Sequence, residues 1–304
     1  MERSEFVFKG TRVYHLGLSR EEMARHIILV GDPARAYIVA EYFDEIESEI
    51  KHREYVTLTG KRNGQRLSVI GTGMGTDNIE IALAELYGLY EFDPHSMEKR
   101  EGLSPLVIIR IGTSGGVQAD IPVGTMGITS YGLGLDNTGL YYDHPIADEQ
   151  SLHIEKATQA IINQGFTSQA RFKGKIFPYV SKASKIVEEA LIEACEEEGA
   201  SFVRGITAST PGFYGPSARY LQGLNNSIPQ IKQKLAQLQL GELRIINMEM
   251  ESSILFHICR QLGYFSGTIC PIISNPNSSA DIIDYQATIH QAIQIGLKSI
   301  QKLA

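Results

Sequence analysis

The chain has 304 residues, of which 43% are hydrophobic and 21% charged, a balance typical of a folded globular protein. Its 28 Lys and Arg against 35 Asp and Glu give a formal net charge of −7. That sign argues against a general nucleic-acid binder, which would present a basic face. It leaves room for a small anionic ligand, because a local group of arginines can oppose the overall charge.

The three cysteines, Cys195, Cys259 and Cys270, are widely spaced and form no CxxC pair, so neither a zinc site nor a disulfide scaffold is indicated. We expect reduced thiols, no bound metal and a cytoplasmic protein. Residues 1–10 lack the apolar core of a signal peptide. No apolar run approaches the ~18 residues of a membrane span, so no membrane partner is expected.

Short apolar runs rich in Val and Ile alternate with amphipathic segments along the chain, which predicts an α/β fold with a mostly parallel or mixed sheet in one domain, 1–304. The predicted strands are 27–31, 67–71, 106–112, 126–130, 202–208, 243–247 and 268–274. The predicted helices are 78–90, 184–198, 254–262 and a terminal helix capped by Asp281. The polar, glycine-rich segment 132–146 is predicted to be a long functional loop.

A strand–turn–helix signal stands at 30–35. The predicted strand stops at Gly31, Asp32 is a favourable N-cap residue, and Pro33 fits the first turn of a helix. Free N–H groups at such a helix start bind anions, and Arg35 would add a charged fork. The alternative is an ordinary capped turn with Arg35 on the surface.

Two glycine-rich segments follow later predicted strands. Residues 71–75 resemble half of a dinucleotide fingerprint, but Thr76 stands where the pattern requires Gly, so a close backbone approach to another ligand is the better interpretation. Arg110 beside a buried strand requires an anion or an acid. With Thr113 and the backbone of 112–116 it would form a phosphate cradle. The alternative is a tight turn with Arg110 paired to an internal acid.

The segment 112–116 also matches the G-x-S-x-G nucleophile elbow around Ser114, which leaves a serine hydrolase as an alternative. That elbow requires a helix directly after the serine. Residues 117–124 instead have the composition of a loop and turn.

Two carboxylates, Glu249 and Glu251, follow the predicted strand 243–247. If Glu249 is still extended and Glu251 enters the helix, both point into a cleft at the strand end. Ionised carboxylates only accept hydrogen bonds, so such a pair suits a ligand with neighbouring hydroxyls. Alternatively, Glu251 only complements the helix dipole and Glu249 is exposed.

A set of ordered motifs, from near the start of the chain to about residue 275, resembles the uridine phosphorylase branch of the nucleoside phosphorylase family. The segments that carry the resemblance are 14–18, 31–33, 52–54, 110–116, 207–209, 213–214, 219–220 and 247–252. The resemblance implies a three-layer α/β/α fold whose central mixed sheet is partly barrel-like. It also implies the reversible reaction of a nucleoside with inorganic phosphate to give free base and (deoxy)ribose 1-phosphate, without metal or organic cofactor.

The resemblance also implies roles for individual residues. The implied phosphate ligands are Gly31, Arg35, Arg53, Arg110 and Thr113. The implied ribose contacts are His15, Glu249, Met250 and Glu251, and the implied base contacts are Phe213, Ser217 and Arg219. In the family, the residues at the positions of His15 and Arg53 reach a neighbouring subunit's site, so the implied active unit is a homo-oligomer, either a dimer or a hexamer of dimers.

Two positions bear on the base. Asn275 stands where related purine enzymes carry an Asp that protonates the purine, which favours a pyrimidine. Against this, Ser217 stands where the uridine enzymes usually carry Gln, two residues before the base-binding Arg219. A purine nucleoside phosphorylase, a nucleosidase and a non-catalytic nucleoside-binding protein therefore remain alternatives. The arginines Arg35, Arg53 and Arg110 favour phosphorolysis over hydrolysis.

Overall fold

The structure is a computed structural model that describes residues 4–217, 219–276 and 285–304. The strands within these residues are β1 (Phe8–Lys9), β2 (Arg12–Val13), β3 (His26–Val30), β4 (Glu45–His52), β5 (Tyr55–Arg62), β6 (Gln65–Gly71), β7 (Val107–Ile111), β8 (Ser114–Gly116), β9 (Met126–Gly134), β10 (Tyr179–Lys182), β11 (Phe202–Ser209), β12 (Gln239–Leu240), β13 (Leu243–Glu249) and β14 (Phe265–Ser274). The α-helices are α1 (Pro33–Ala40), α2 (Thr76–Glu91), α3 (Glu149–Gly165), α4 (Lys185–Glu197), α5 (Ile231–Leu235), α6 (Ser252–Leu262) and α7 (Tyr285–Lys302). None of the helices in these ranges combines the length and apolar character needed to cross a bilayer.

All seven predicted strands are present, as are the helices predicted at 78–90, 184–198 and 254–262. Asp281, the predicted cap of the terminal helix, lies outside the described residues. One prediction is wrong: β9 continues to Gly134, so the start of the predicted loop 132–146 is buried strand. Gly132 is needed there because a side chain would collide with the backbone of Ser253 at the start of α6.

The main sheet is mixed and partly closed. Its strands follow the order β10-β9-β11-β13-β8-β14-β7-β3-β6-β5-β4, and β9 also pairs with β14. That extra pairing closes β9, β11, β13, β8 and β14 into a ring. The remaining strands extend from the ring as an open sheet, in which β14, β7, β3 and β6 run parallel. The predicted barrel-like character of the sheet is therefore confirmed.

Helices cover both faces of this sheet. Helices α1, α4 and α7 pack on one face through side chains such as Val39, Leu191 and Ile293. Helices α2 and α6 pack on the other face, where Leu83 and Ile254 are fully buried. Helices α3 and α5 enclose a further apolar cluster beside the ring. The predicted α/β/α arrangement is confirmed, with the carboxyl ends of β3, β6 and β7 at one edge, where ligands of such sheets bind.

Candidate active site

Arg110, next to the last residue of β7, is the central charged group of the site. Its Nη1 lies 2.9 Å from Glu249 Oε2, and its Nη2 donates to Glu251 Oε2. All three side chains are buried. Gly112 allows this arrangement, because a Cβ at that position would overlap the Arg110 guanidinium. The alternative of Arg110 paired to an internal acid is thus what the structure shows, and the acids are two of the four predicted ribose contacts.

Glu249 is the last residue of β13 and accepts hydrogen bonds from the start of α6. Its carboxylate accepts from the backbone N–H of Glu251 at 3.0 Å and from that of Ser252 at 3.1 Å. Ser209, at the end of the neighbouring parallel strand β11, donates its hydroxyl to Glu249 Oε1 at 2.5 Å. The carboxylate therefore satisfies N–H groups that a helix start leaves unpaired. The alternative of an exposed Glu249 is wrong.

Glu251 immediately precedes α6 and joins a third segment to the cluster. Its Oε1 accepts from the backbone N–H of Gly75 at 2.8 Å. The glycine-rich segment 71–75 thus binds this carboxylate, while Gly73 and Met74 line the cavity in front of it. Burial, with the neighbouring charge of Glu249, raises the pKa of Glu251 against the opposing effect of Arg110. Burial alone would lower the pKa of Arg110, but Glu251 and Glu249 raise it above its usual range.

A cavity of about 460 Å³ opens in front of this cluster. The predicted phosphate ligands Gly31, Arg35, Arg110 and Thr113 all line it. Asp32 caps α1 as predicted, its Oδ1 accepting from the Ala34 N–H at 2.9 Å. The Arg35 side chain is buried, with its Nη1 3.4 Å from the carbonyl oxygen of Ile111. The surface alternative for Arg35 is therefore wrong.

A second cavity of about 320 Å³ continues from the first. The residues common to both are Gly115, Phe213, Met248, Glu249 and Met250. The predicted base contacts Phe213, Ser217 and Arg219 line the second cavity. The Arg219 guanidinium stacks 4.0 Å from the centre of the Phe213 ring, and the Ser217 hydroxyl donates to the carbonyl of Gly212 at 3.1 Å. Both contacts are made between residues of the loop that carries the predicted base contacts.

His15 and Arg53 do not line either cavity. His15 Nδ1 lies 2.7 Å from Glu85 Oε1. Arg53 donates to the Tyr14 hydroxyl at 2.9 Å and lies over the same ring. His52 joins the two segments, because its Nδ1 contacts the carbonyl of His15 at 2.8 Å. Ten of the twelve predicted site residues thus meet in one cleft, and the remaining two form a separate group.

The hydrolase alternative does not fit the structure. Ser114 begins the short strand β8 and is not followed by a helix. Its hydroxyl is buried, donates to the carbonyl of Pro271 at 3.3 Å and accepts from Asn247 Nδ2 at 2.9 Å. A nucleophile elbow instead exposes its serine at a strand–helix turn.

The structure differs from the sequence-based interpretation at two places in the base cavity. Asn275 does not line it, since its amide donates to the carbonyl of Ile121 at 2.6 Å. Lys232 and Gln233 of α5 do line it, and nothing in the sequence marked them. They reach the cavity only because Ile231 and Leu235 of the same short helix are buried against the ring.

Comparison with known proteins places the chain in a family. Residues 25–303 match the Phosphorylase superfamily. The chain is 29% identical over 297 residues to the uridine phosphorylase of Haemophilus influenzae, covering 96% of this chain and 98% of that protein. It is also 29% identical over 262 residues to the uridine phosphorylase of Thermococcus kodakarensis, covering 86% and 77% respectively.

A solved structure gives the same assignment. The nucleoside phosphorylase of Trypanosoma brucei, described as showing uridine phosphorylase activity, superposes with a TM-score of 0.85 at 28% identity. The match covers 98% of this chain and 100% of the Trypanosoma brucei chain. The α/β fold is thus that of the phosphorylase superfamily, and the chain belongs to this superfamily. The predicted family is confirmed.

Proposed function

We propose that the chain is a nucleoside phosphorylase that transfers the ribosyl group of uridine, or of another pyrimidine nucleoside, to inorganic phosphate. The observation that carries this proposal is the buried cluster of Arg110, Glu249 and Glu251. It lies between a cavity lined by Arg35 and Thr113 and a second cavity lined by aromatic and cationic side chains. The cleft therefore offers separate places for an anion, a sugar and a base.

Phosphate would bind in the larger cavity. Arg35, Arg110, the Thr113 hydroxyl and the backbone at Gly31 supply charge and hydrogen-bond donors around one space. The described side chains that line this cavity include two arginines, Arg35 and Arg110, and three carboxylates, Asp32, Glu249 and Glu251. When the carboxylates are ionised, this lining has no net positive charge, so an anionic phosphate lacks a counter-charge there.

Arg53 of a second copy would supply that missing charge, with His15 of the same copy at the 5′ end of the ribose. In one chain both residues lie in a separate group, in which Arg53 contacts the half-exposed Tyr14. We therefore propose a homo-oligomer with a dimer as its minimal active unit, in which each site is completed by its neighbour.

The ribose would lie against Met250, with its hydroxyls donating to Glu251 and Glu249. Arg110 and backbone N–H groups hold these two carboxylates in place. Pinning the sugar hydroxyls next to the phosphate places a phosphate oxygen near C1′. As the bond from C1′ to the base breaks, positive charge develops on the sugar, and the phosphate and carboxylates stabilise that charge.

The base would occupy the smaller cavity beside Phe213, with Arg219 donating to a carbonyl oxygen. We propose that the reaction uses inorganic phosphate as co-substrate and needs no metal or organic cofactor, because the proposed chemistry requires only positioning and electrostatic stabilisation. A single domain and a cytoplasmic role in pyrimidine salvage complete the proposal. The three cysteines are free and buried, which agrees with a reducing compartment.

The test is a screen of uridine, thymidine, deoxyuridine, inosine and adenosine for release of free base, with and without phosphate. We expect uridine to be cleaved fastest and none to be cleaved without phosphate. Equal cleavage without phosphate would identify a nucleosidase, and preference for inosine or adenosine would identify a purine enzyme. Calorimetric binding of uridine without turnover would identify a nucleoside-binding protein. Each of these results contradicts the proposal.

A further inference from the structure

The base cavity lacks a long polar side chain at the position of Ser217. The Ser217 hydroxyl donates to the carbonyl of Gly212 and lies 3.4 Å from the Thr210 hydroxyl, so it is engaged within its own loop. Of the three predicted base contacts, Phe213, Ser217 and Arg219, Arg219 is then the one whose side chain can donate to the base. A departing pyrimidine with two carbonyl oxygens requires a further donor.

Lys232 is placed to be that donor. It lines the same cavity as Phe213, Ser217 and Arg219. Its neighbours in α5, Ile231 and Leu235, are buried in the apolar cluster beside the ring and fix the helix there. Lys234, two residues further along α5, instead lies beside Gly165, where a Cβ atom would be 3.3 Å from the Cδ of this lysine. The two lysines of this helix therefore face different surroundings.

Among the residues that the structure describes, no carboxylate pairs with Lys232, and the charged group that acts on its amine is Arg219. Burial and, as the smaller cause, repulsion from Arg219 lower the pKa of the Lys232 amine below its ordinary value. Glu249, the carboxylate on this cavity, is already paired with Arg110. Two cationic side chains on a cavity whose carboxylate is already paired favour an occupant that becomes negative.

We propose that Lys232 binds a carbonyl oxygen of the base and stabilises the base as an anion when it leaves. This rests on the proposed function. In the step, the bond between C1′ and the base nitrogen breaks, and its electron pair stays on the base. A phosphate oxygen forms the new bond to C1′. The Lys232 ammonium donates a hydrogen bond to the base oxygen on which this negative charge is delocalised, and it keeps its proton. The preferred substrate class is a nucleoside whose base presents two carbonyl oxygens.

The test compares uridine with 5-fluorouridine, whose base is the more acidic and hence the better leaving group. We expect Lys232→Gln to lower kcat/KM for uridine about 10- to 100-fold, as for the loss of one hydrogen bond from a charged donor. The loss for 5-fluorouridine should be smaller, at most about a third as large, because its base needs less stabilisation. Lys232→Arg keeps the charge and should retain the wild-type ratio between the two substrates.

Lys234→Gln is the matched control, since it removes the same charge from the same helix outside the cavity. The ratio of the two kcat/KM values does not depend on the fraction of folded enzyme, so misfolding of a variant cannot imitate the expected result. An unchanged ratio in Lys232→Gln, or a ratio that matches the Lys234→Gln control, overturns the role of Lys232 and leaves the proposed function standing. Absence of base release by the wild-type protein overturns both.

Discussion

Replacing Arg110 by methionine should destabilise the fold, and more so at high pH. Arg110 is buried, with 4% of its surface exposed, and it pairs with two equally buried carboxylates. Removing it leaves Glu249 and Glu251 without their cation, and breaking a buried pair in this way costs about 3–5 kcal/mol. For a chain of 304 residues, that loss corresponds to a fall in Tm of about 5–8 °C.

The pH dependence follows from the carboxyl groups left behind. Burial raises the pKa of Glu251 in the folded state against the opposing effect of Arg110, so removing Arg110 raises that pKa further above the unfolded value of about 4.3. Between the unfolded pKa and the raised folded pKa of this carboxyl, the folded state binds more protons than the unfolded state. The free energy of unfolding therefore falls as the pH rises through that range. The stability deficit of Arg110→Met relative to wild type should therefore be larger at pH 8 than at pH 5.5.

The assay is urea and thermal unfolding at both pH values, at one protein concentration, because association shifts apparent stability. Arg244→Met is the control. Arg244 pairs with Asp120 at 2.7 Å on the surface, with 32% and 62% of the two side chains exposed. Its loss should cost less than about 1 kcal/mol. A deficit for Arg110→Met no larger than that of the control, or equal at the two pH values, would refute the reasoning.

Three further predictions concern catalysis. Arg35→Gln should raise the KM for phosphate about tenfold or more with little change in the KM for uridine. Arg219→Gln should raise the KM for uridine with little change in the KM for phosphate. Equal effects on both substrates in steady-state kinetics would contradict the assigned roles. At low phosphate, where each variant alone is impaired at every site, co-expressed Arg35→Gln and Arg53→Gln chains should regain the wild-type kcat/KM for phosphate at about one site in four if Arg53 serves the neighbour's site. A hybrid no more active than the two separate variants would count against a shared site. Gly112→Ala should displace the Arg110 guanidinium and lower kcat/KM about 100-fold, and unaltered kinetics would show that the close approach is unimportant.

Much of the fold follows from local patterns in the chain. The Val- and Ile-rich runs became the strands of the sheet because both faces of those strands are covered by helices. The wrong prediction of a loop at 132–134 has a long-range cause. The glycines of this segment give it the composition of a loop. Gly132 is nevertheless part of a strand, where a side chain would collide with the backbone of Ser253, 121 positions away in the chain. Short-range composition cannot reveal such a contact.

The candidate site was also predictable where its residues stand at strand ends. Arg110 stands near the end of the predicted strand 106–112, and a cleft at the end of the predicted strand 243–247 was expected for Glu249 and Glu251. Their direct ion pairing was left open, because spacing alone does not give the distance between side chains. Lys232 could not be predicted, since it stands on a five-residue helix whose position depends on packing against the ring.

The most direct test of the central claim is ³¹P NMR of the wild-type protein incubated with uridine and inorganic phosphate, with uracil measured in the same sample. The account predicts a new sugar phosphate resonance, that of ribose 1-phosphate, which grows in equal amount with free uracil and at the expense of the phosphate signal. Uracil released together with free ribose, at a rate that does not depend on phosphate, would contradict it.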